Sequence, residues 1–121
     1  MDCIFCQIDR AIVAESKLSL AFFDAFPISK GHVLVVPRRH VATIWELSDE
    51  EYIDLFNLIR QVKDLIQDRF EPQGLNVGAN CGEAAGQTVF HAHIHIIPRY
   101  SGDVPNPRGG IRNIIPGRGN Y

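Results

Sequence analysis

The chain has 121 residues, enough for one domain with its own core. A formal net charge of −2 and an ordinary soluble-protein composition exclude a general attraction to nucleic acid or to an anionic membrane surface. No apolar run approaches the about 20 residues that span a bilayer, no signal-peptide pattern opens the chain, and three cysteines make no secreted disulfide framework, so a cytoplasmic protein with reduced thiols is expected.

Cys3-x-x-Cys6 comes first, with Ile4, Phe5 and Ile8 as a short apolar patch. Residues 12–16 and 18–23 read as two short strands about a tight turn at Ser16-Lys17, and 24–31, with Pro27 and Gly31, as a loop. His32-Val-Leu-Val-Val36 reads as a strand closed by Pro37; Arg38, Arg39 and His40 follow. Ser48 and Glu51 have the spacing of a capping box, and Asp49, Glu50 and Glu51 suit the positive end of a helix. Tyr52, Leu55, Phe56, Ile59, Val62 and Ile66 then recur at helical spacing until Pro72 and Gly74 end the helix. Leu75 to Asn80 reads as a strand with Asn76, Gly78 and Asn80 on one face, and Cys81 to Gln87 as a Gly-rich loop. Thr88 to Pro98 reads as a strand with His91, His93 and His95 on one face, roughly 6.5–7 Å apart, and Ala92, Ile94 and Ile96 on the other. From Ser101 onward, glycine, proline and arginine mark an irregular tail. Five strands and one long helix predict an α+β domain with a mostly antiparallel sheet.

Three imidazoles on one strand face need partners and repel one another when charged, which favours a site over packing. Two chemistries fit them: metal ligation, and phosphoryl-group chemistry with one imidazole as nucleophile. The upstream donors favour phosphate. Gly82 and Gly86 can expose backbone N–H groups, and Gln87, Thr88 and Asn80 add side-chain donors. Cys3 and Cys6 supply half of a tetrahedral zinc site, with His40 and His91 as candidate partners; the alternative is two small buried residues. Cys81 reads as an ordinary partly buried thiol. Arg99, Arg108, Arg112 and Arg118 are either phosphate contacts or solvated charges. Trp45 and the helix stripe fit core or subunit contact.

Gly86-Gln-Thr-Val-Phe-His-Ala-His-Ile-His-Ile-Ile-Pro-Arg99 resembles the signature of the histidine-triad (HIT) nucleotide-binding family. The segment 21–37, with Asp24, Pro27 and Gly31-His32, and the opening Cys-Ile-Phe-Cys are similar to the same family. The resemblance spans about residues 3 to 100. It implies a HIT domain over 1–100, with a short N-terminal helix, and a tail over 101–121 docked on the domain or dimer. It implies His93 as the nucleophile at the α-phosphate of a nucleotide, with His95 donating to the phosphate or leaving group. Gln87 would assist catalysis and, with Gly86, Thr88 and Asn80, hold phosphate oxygens. His32 would be an additional active-site histidine. Asp24 would take the ribose hydroxyls, unless it serves only as a turn residue before Pro27. The resemblance also implies structural zinc on Cys3, Cys6, His40 and His91, a homodimer and an adenine nucleotide substrate. A dinucleoside polyphosphate hydrolase such as an Ap4A or Ap3A hydrolase is expected first, and a purine nucleoside phosphoramidase second. A non-catalytic nucleotide-binding module and a metal-dependent hydrolase using all three triad histidines are the competing readings.

Overall fold

Val33–Pro37 (β3) has every residue buried, and the sheet is built around it. The structure, a computed structural model, describes residues 3–121. Ile12–Glu15 (β1), Ser19–Phe23 (β2), Gly74–Gly78 (β4) and Ile94–Arg99 (β5) complete a five-stranded sheet in the order β1-β2-β3-β5-β4. Every pairing is antiparallel. The outermost strands, β1 and β4, are the ones with exposed residues, as edge strands allow.

The long helix α1 covers Asp49–Phe70 and packs on one sheet face. Its start follows the sequence: Ser48 accepts from the Glu51 N–H at 3.2 Å, and Glu51 accepts from the Ser48 N–H at 2.9 Å. Leu55, Leu58, Val62 and Ile66 are its buried apolar residues, so Leu58 joins the inner stripe and Phe56 lies outside it. They form one core with Ala21, Val33, Val35, Ile94 and Ile96. The opposite sheet face carries a smaller cluster, Phe5, Phe22, Leu34 and Val36. The side chains that bear the chemistry stand on this second face.

Three expectations change. The N-terminal segment forms a turn, with the Cys6 N–H donating to Cys3 O at 3.2 Å, in place of a short helix. The histidine strand begins only at Ile94, where its pairing with β3 starts opposite Val35, although Val36 and Pro37 of β3 run on past it. There the Ala92 N–H donates to Val41 O at 2.7 Å, and the His91 ring takes the Pro37 carbonyl. Trp45 is exposed, so of core and subunit contact only the core is ruled out for it. No helix among the described residues is long and apolar enough to cross a membrane.

Candidate functional site

Five histidine rings run in a row over the second sheet face. His40 and His91 have ring centroids 5.0 Å apart, His93 and His95 5.2 Å, and His95 and His32 5.2 Å. Phe5 bridges the row, its ring edge-on to His91 at 6.1 Å and to His93 at 5.1 Å. Nothing in the sequence singled out Phe5 beyond its apolar character; the turn through Cys3 and Cys6 folds it against the triad.

Hydrogen-bond partners fix the tautomers of four of the rings. His91 Nε2 lies 2.8 Å from Pro37 O, so Nε2 carries the proton and Nδ1 is a bare lone pair. His93 Nδ1 lies 2.9 Å from His91 O, so Nδ1 carries the proton and Nε2 is the bare nitrogen. The His32 Nδ1 accepts from the Ile28 N–H at 3.3 Å, which leaves the His32 Nε2–H to donate to His95 Nδ1 at 2.9 Å. His95 therefore presents Nε2–H outward as a donor. A bare Nε2 on His93 thus stands beside an Nε2–H donor on His95, a pairing with the chemistry of a nucleophile next to a hydrogen-bond donor.

Burial keeps the donor neutral. It pushes His95 down to about 4, helped by neighbouring His93 and His32 and opposed by Asp24. Burial also lowers His32, again opposed by Asp24. Asp24 takes the turn role considered for it and also faces His32. Its Oδ1 accepts from the Phe26 N–H at 2.9 Å, a turn-forming bond, while its Oδ2 lies 3.5 Å from His32 Nε2.

Asp24, His32, Asn80 and His95 line one cavity of about 360 Å³. Asn80 is exposed at its rim, beyond the end of β4. The loop at 82–88 is held differently from expectation. Gln87 is buried, its Oε1 accepts from the Gly82 N–H at 2.8 Å, and its Nε2 donates to Ala42 O at 2.6 Å and to Val89 O at 3.1 Å. Its amide is spent on backbone, so it shapes the loop in place of reaching for phosphate. Gly86 adopts φ 93°, a conformation that favours glycine, and it and Thr88 are exposed.

The cysteine pair meets the other end of the row. His91 Nδ1 lies 3.4 Å from Cys3 Sγ, 3.5 Å from Cys6 Sγ and 3.2 Å from His40 Nδ1, and Cys6 Sγ lies 3.2 Å from His40 Nδ1. Tetrahedral zinc, with bonds of about 2.3 Å to sulfur and about 2.0–2.1 Å to nitrogen, holds such atoms roughly 3.3–3.8 Å apart. The Cys3, Cys6, His40 and His91 set fits that ion. The His91 Nε2–H bond to a backbone carbonyl is the support a ligating imidazole requires. Among the described residues, no group of candidate metal ligands joins all three triad histidines. A single ion on His91, His93 and His95 is therefore disfavoured, since His93 belongs to neither candidate group.

The arginines largely have other partners. Arg99 is held bidentately by Asp103 at 2.8 and 2.9 Å and donates to Asn76 Oδ1 at 2.7 Å. Arg108 and Arg112 lie over the Tyr121 ring at 5.4 and 4.4 Å. Cys81 is partly buried and free.

Comparison with known proteins adds the following. A family model described as the HIT domain matches residues 6–102. An adenosine 5'-monophosphoramidase of Schizosaccharomyces pombe is 43% identical over 116 residues, covering 92% of this chain and 80% of that protein. An asymmetrical bis(5'-nucleosyl)-tetraphosphatase of the same organism is 46% identical over 96 residues, covering 79% of this chain and 53% of that protein. A crystal structure of a HIT-family protein from Bacillus subtilis superposes with a TM-score of 0.80 at 44% identity, covering 85% of this chain and 77% of that one. A zinc-bound histidine-triad protein from Mycobacterium smegmatis superposes with a TM-score of 0.77 at 30% identity, covering 87% and 80%.

Proposed function

The chain belongs to the HIT family, and from that premise we propose that it is a nucleotide hydrolase or nucleotidyl transferase acting at the α-phosphate through a nucleotidyl-histidine intermediate. The observation that carries this reading is the opposed pair of tautomers: a bare Nε2 on His93 beside an Nε2–H on His95. His93 Nε2 attacks the α-phosphorus, a P–N bond forms, and the bond to the leaving group breaks with its electron pair passing to that group. His95 donates to the leaving atom or to a phosphate oxygen. Water then attacks the phosphorus, releases the nucleoside monophosphate and restores His93. Asn80, Thr88 and the Gly86 backbone offer donors to phosphate oxygens, and Gln87 positions their loop. Asp24 takes the ribose hydroxyls, and His32 holds His95 in its donor tautomer.

The first substrate class is a dinucleoside polyphosphate of the Ap4A or Ap3A type, supported by the likeness to a tetraphosphatase. The second is a purine nucleoside phosphoramidate, which the phosphoramidase relative favours by matching far more of both chains. That relative's name also supports adenine as the base. Cys3, Cys6, His40 and His91 would hold zinc, which supplies a cross-link between the N-terminal turn and the triad and leaves no open position for chemistry. The domain occupies 1–100, with 101–121 as an appended tail. Free thiols support a cytoplasmic location. A homodimer is supported by the groove between α1 and the edge strand β4, where Phe56, Ile59, Leu75 and Val77 meet.

The test is release of AMP from Ap4A, Ap3A and adenosine phosphoramidate, with and without chelator. We expect turnover that persists on brief chelation and falls by roughly 10³-fold or more in His93→Ala. Equal turnover by that variant defeats the nucleophile assignment.

A further inference from the structure

The four candidate zinc ligands are unequally shielded. Cys6 and His40 are exposed, Cys3 is partly buried and His91 is buried. An ion on this set has no open coordination position, yet one side of its shell faces water. A small oxidant therefore reaches the Cys6 side chain without any opening of the fold. Zinc also holds both sulfurs as thiolates, the form that oxidants attack.

The pair is built to close on itself. All three cysteines are free, and the Sγ atoms of Cys3 and Cys6 lie within 4.8 Å of one another. The Cys6 N–H donates to Cys3 O at 3.2 Å, so the two residues are the ends of one turn. The ends of such a turn stand less than about 7 Å apart at Cα, and a disulfide spans about 4.4–6.8 Å. Sulfur–sulfur bonding thus needs side-chain rotation within a turn that is already formed. Cys81 stands outside the zinc set.

The ion ties down a segment that has little else to hold it. Residues 3–8 lie in no helix or strand. Phe5 is buried against Phe22, His91 and His93, and Cys3 and Ile8 pack partly buried on the same cluster. His91 keeps an anchor of its own, since its ring is buried and its Nε2–H donates to Pro37 O at 2.8 Å. Loss of the ion therefore frees the N-terminal turn and leaves the histidine strand in place.

We propose that Cys3 and Cys6 are a reversible oxidation site for hydroperoxides, closing to a disulfide that expels zinc and unties the N-terminal turn from the triad. This rests on the zinc reading above. The exposed Cys6 thiolate attacks a peroxide oxygen, the O–O bond breaks, and hydroxide leaves with its electron pair, which makes Cys6 a sulfenic acid. The Cys3 thiolate then attacks the Cys6 sulfur, the S–S bond forms, and a second hydroxide leaves. The two sulfurs together give up two electrons and the peroxide takes them. Zinc departs as Zn²⁺ with its charge unchanged, because its ligands are no longer thiolates. A dithiol reductant returns the two electrons and restores the zinc site.

The test treats the zinc-loaded full chain with hydrogen peroxide. Zinc release is followed with a metal-binding dye, thiol state by peptide mass, and local opening by amide hydrogen exchange. We expect one zinc released for each Cys3–Cys6 disulfide, with a loss of about 2 Da from the peptide that holds both cysteines. Exchange should quicken over residues 3–8 and stay unchanged over Ile94–Arg99. Dithiothreitol with added zinc should reverse all of it, and Cys81→Ser should respond as the wild type does. Zinc that stays bound, oxidation to sulfinic acid with no disulfide, or a disulfide to Cys81 overturns the switch and leaves the zinc reading standing. A chain that purifies without zinc and takes none up overturns both.

Discussion

His93 and His95 differ by two positions and by nothing in composition, yet their hydrogen-bond partners give them opposite tautomers. His91 O holds the His93 Nδ1–H, and the Ile28 N–H, acting through His32, strips the proton from His95 Nδ1. The cost of burying His95 has a stability consequence. Its imidazole is pushed down to about 4, below the roughly 6.5 of an unfolded chain, so the unfolded state binds more protons between those values. The stability contributed by its neutral form is full above about pH 6.5 and is lost as pH falls toward 4. Melting temperature should therefore drop across that window, and His95→Asn should flatten the drop; an unchanged slope in the variant rejects this origin. His32 is shifted in the same direction and adds to the slope. At this scale the alternating histidines and the donor-rich loop were legible in residue type alone. The tautomers were not, because they depend on carbonyls and N–H groups at Pro37, His91 and Ile28 that no sequence pattern marks.

Among the elements, α1 follows its sequence most closely. The capping box at Ser48 and Glu51 forms as its spacing requires, since both partners are local. The fold adds a third member. Arg39, just past β3, donates to both Glu51 oxygens at 2.9 and 3.1 Å and, with the Ser48 N–H, holds that carboxyl down to about 2. Ser48→Ala should cost about 1 kcal/mol in urea unfolding. Glu51→Ala should cost more, because it removes the cap and the anchor of Arg39 together; a smaller loss than Ser48→Ala contradicts the coupling. The histidine segment shows the opposite case. Its alternation predicts a strand from Thr88, but the ladder with β3 begins only at Ile94, and the Ala92 N–H goes to Val41 O. Gln87 likewise reads as a phosphate donor by type, while the loop it folds into consumes its amide.

The whole molecule places two kinds of site on one sheet face, joined through His91. Its Nδ1 faces Cys3, Cys6 and His40, and its carbonyl orients His93. Zinc at that set would tie the N-terminal turn, and with it Phe5, against the triad. Cys6→Ser or prolonged chelation should lower the melting temperature by several degrees, about what 1–2 kcal/mol does in a domain of this size, and purified protein should carry one zinc per chain. An unchanged melting temperature with no bound zinc refutes the staple. The cysteine pair and its candidate partners were legible in the sequence, whereas the place of Ile111 and Ile114 was not: they sit in a Gly-rich stretch with no periodicity, and only the fold returns them to the cavity lined by Asp24 and His95. The account stands most directly on covalent chemistry at one atom. Wild-type protein mixed with Ap4A or adenosine phosphoramidate, quenched within the first turnover and mapped by peptide mass, should carry an acid-labile nucleotidyl group on His93. An adduct on His91 or His95, or turnover with no adduct at any quench time and full activity in His93→Ala, would contradict it.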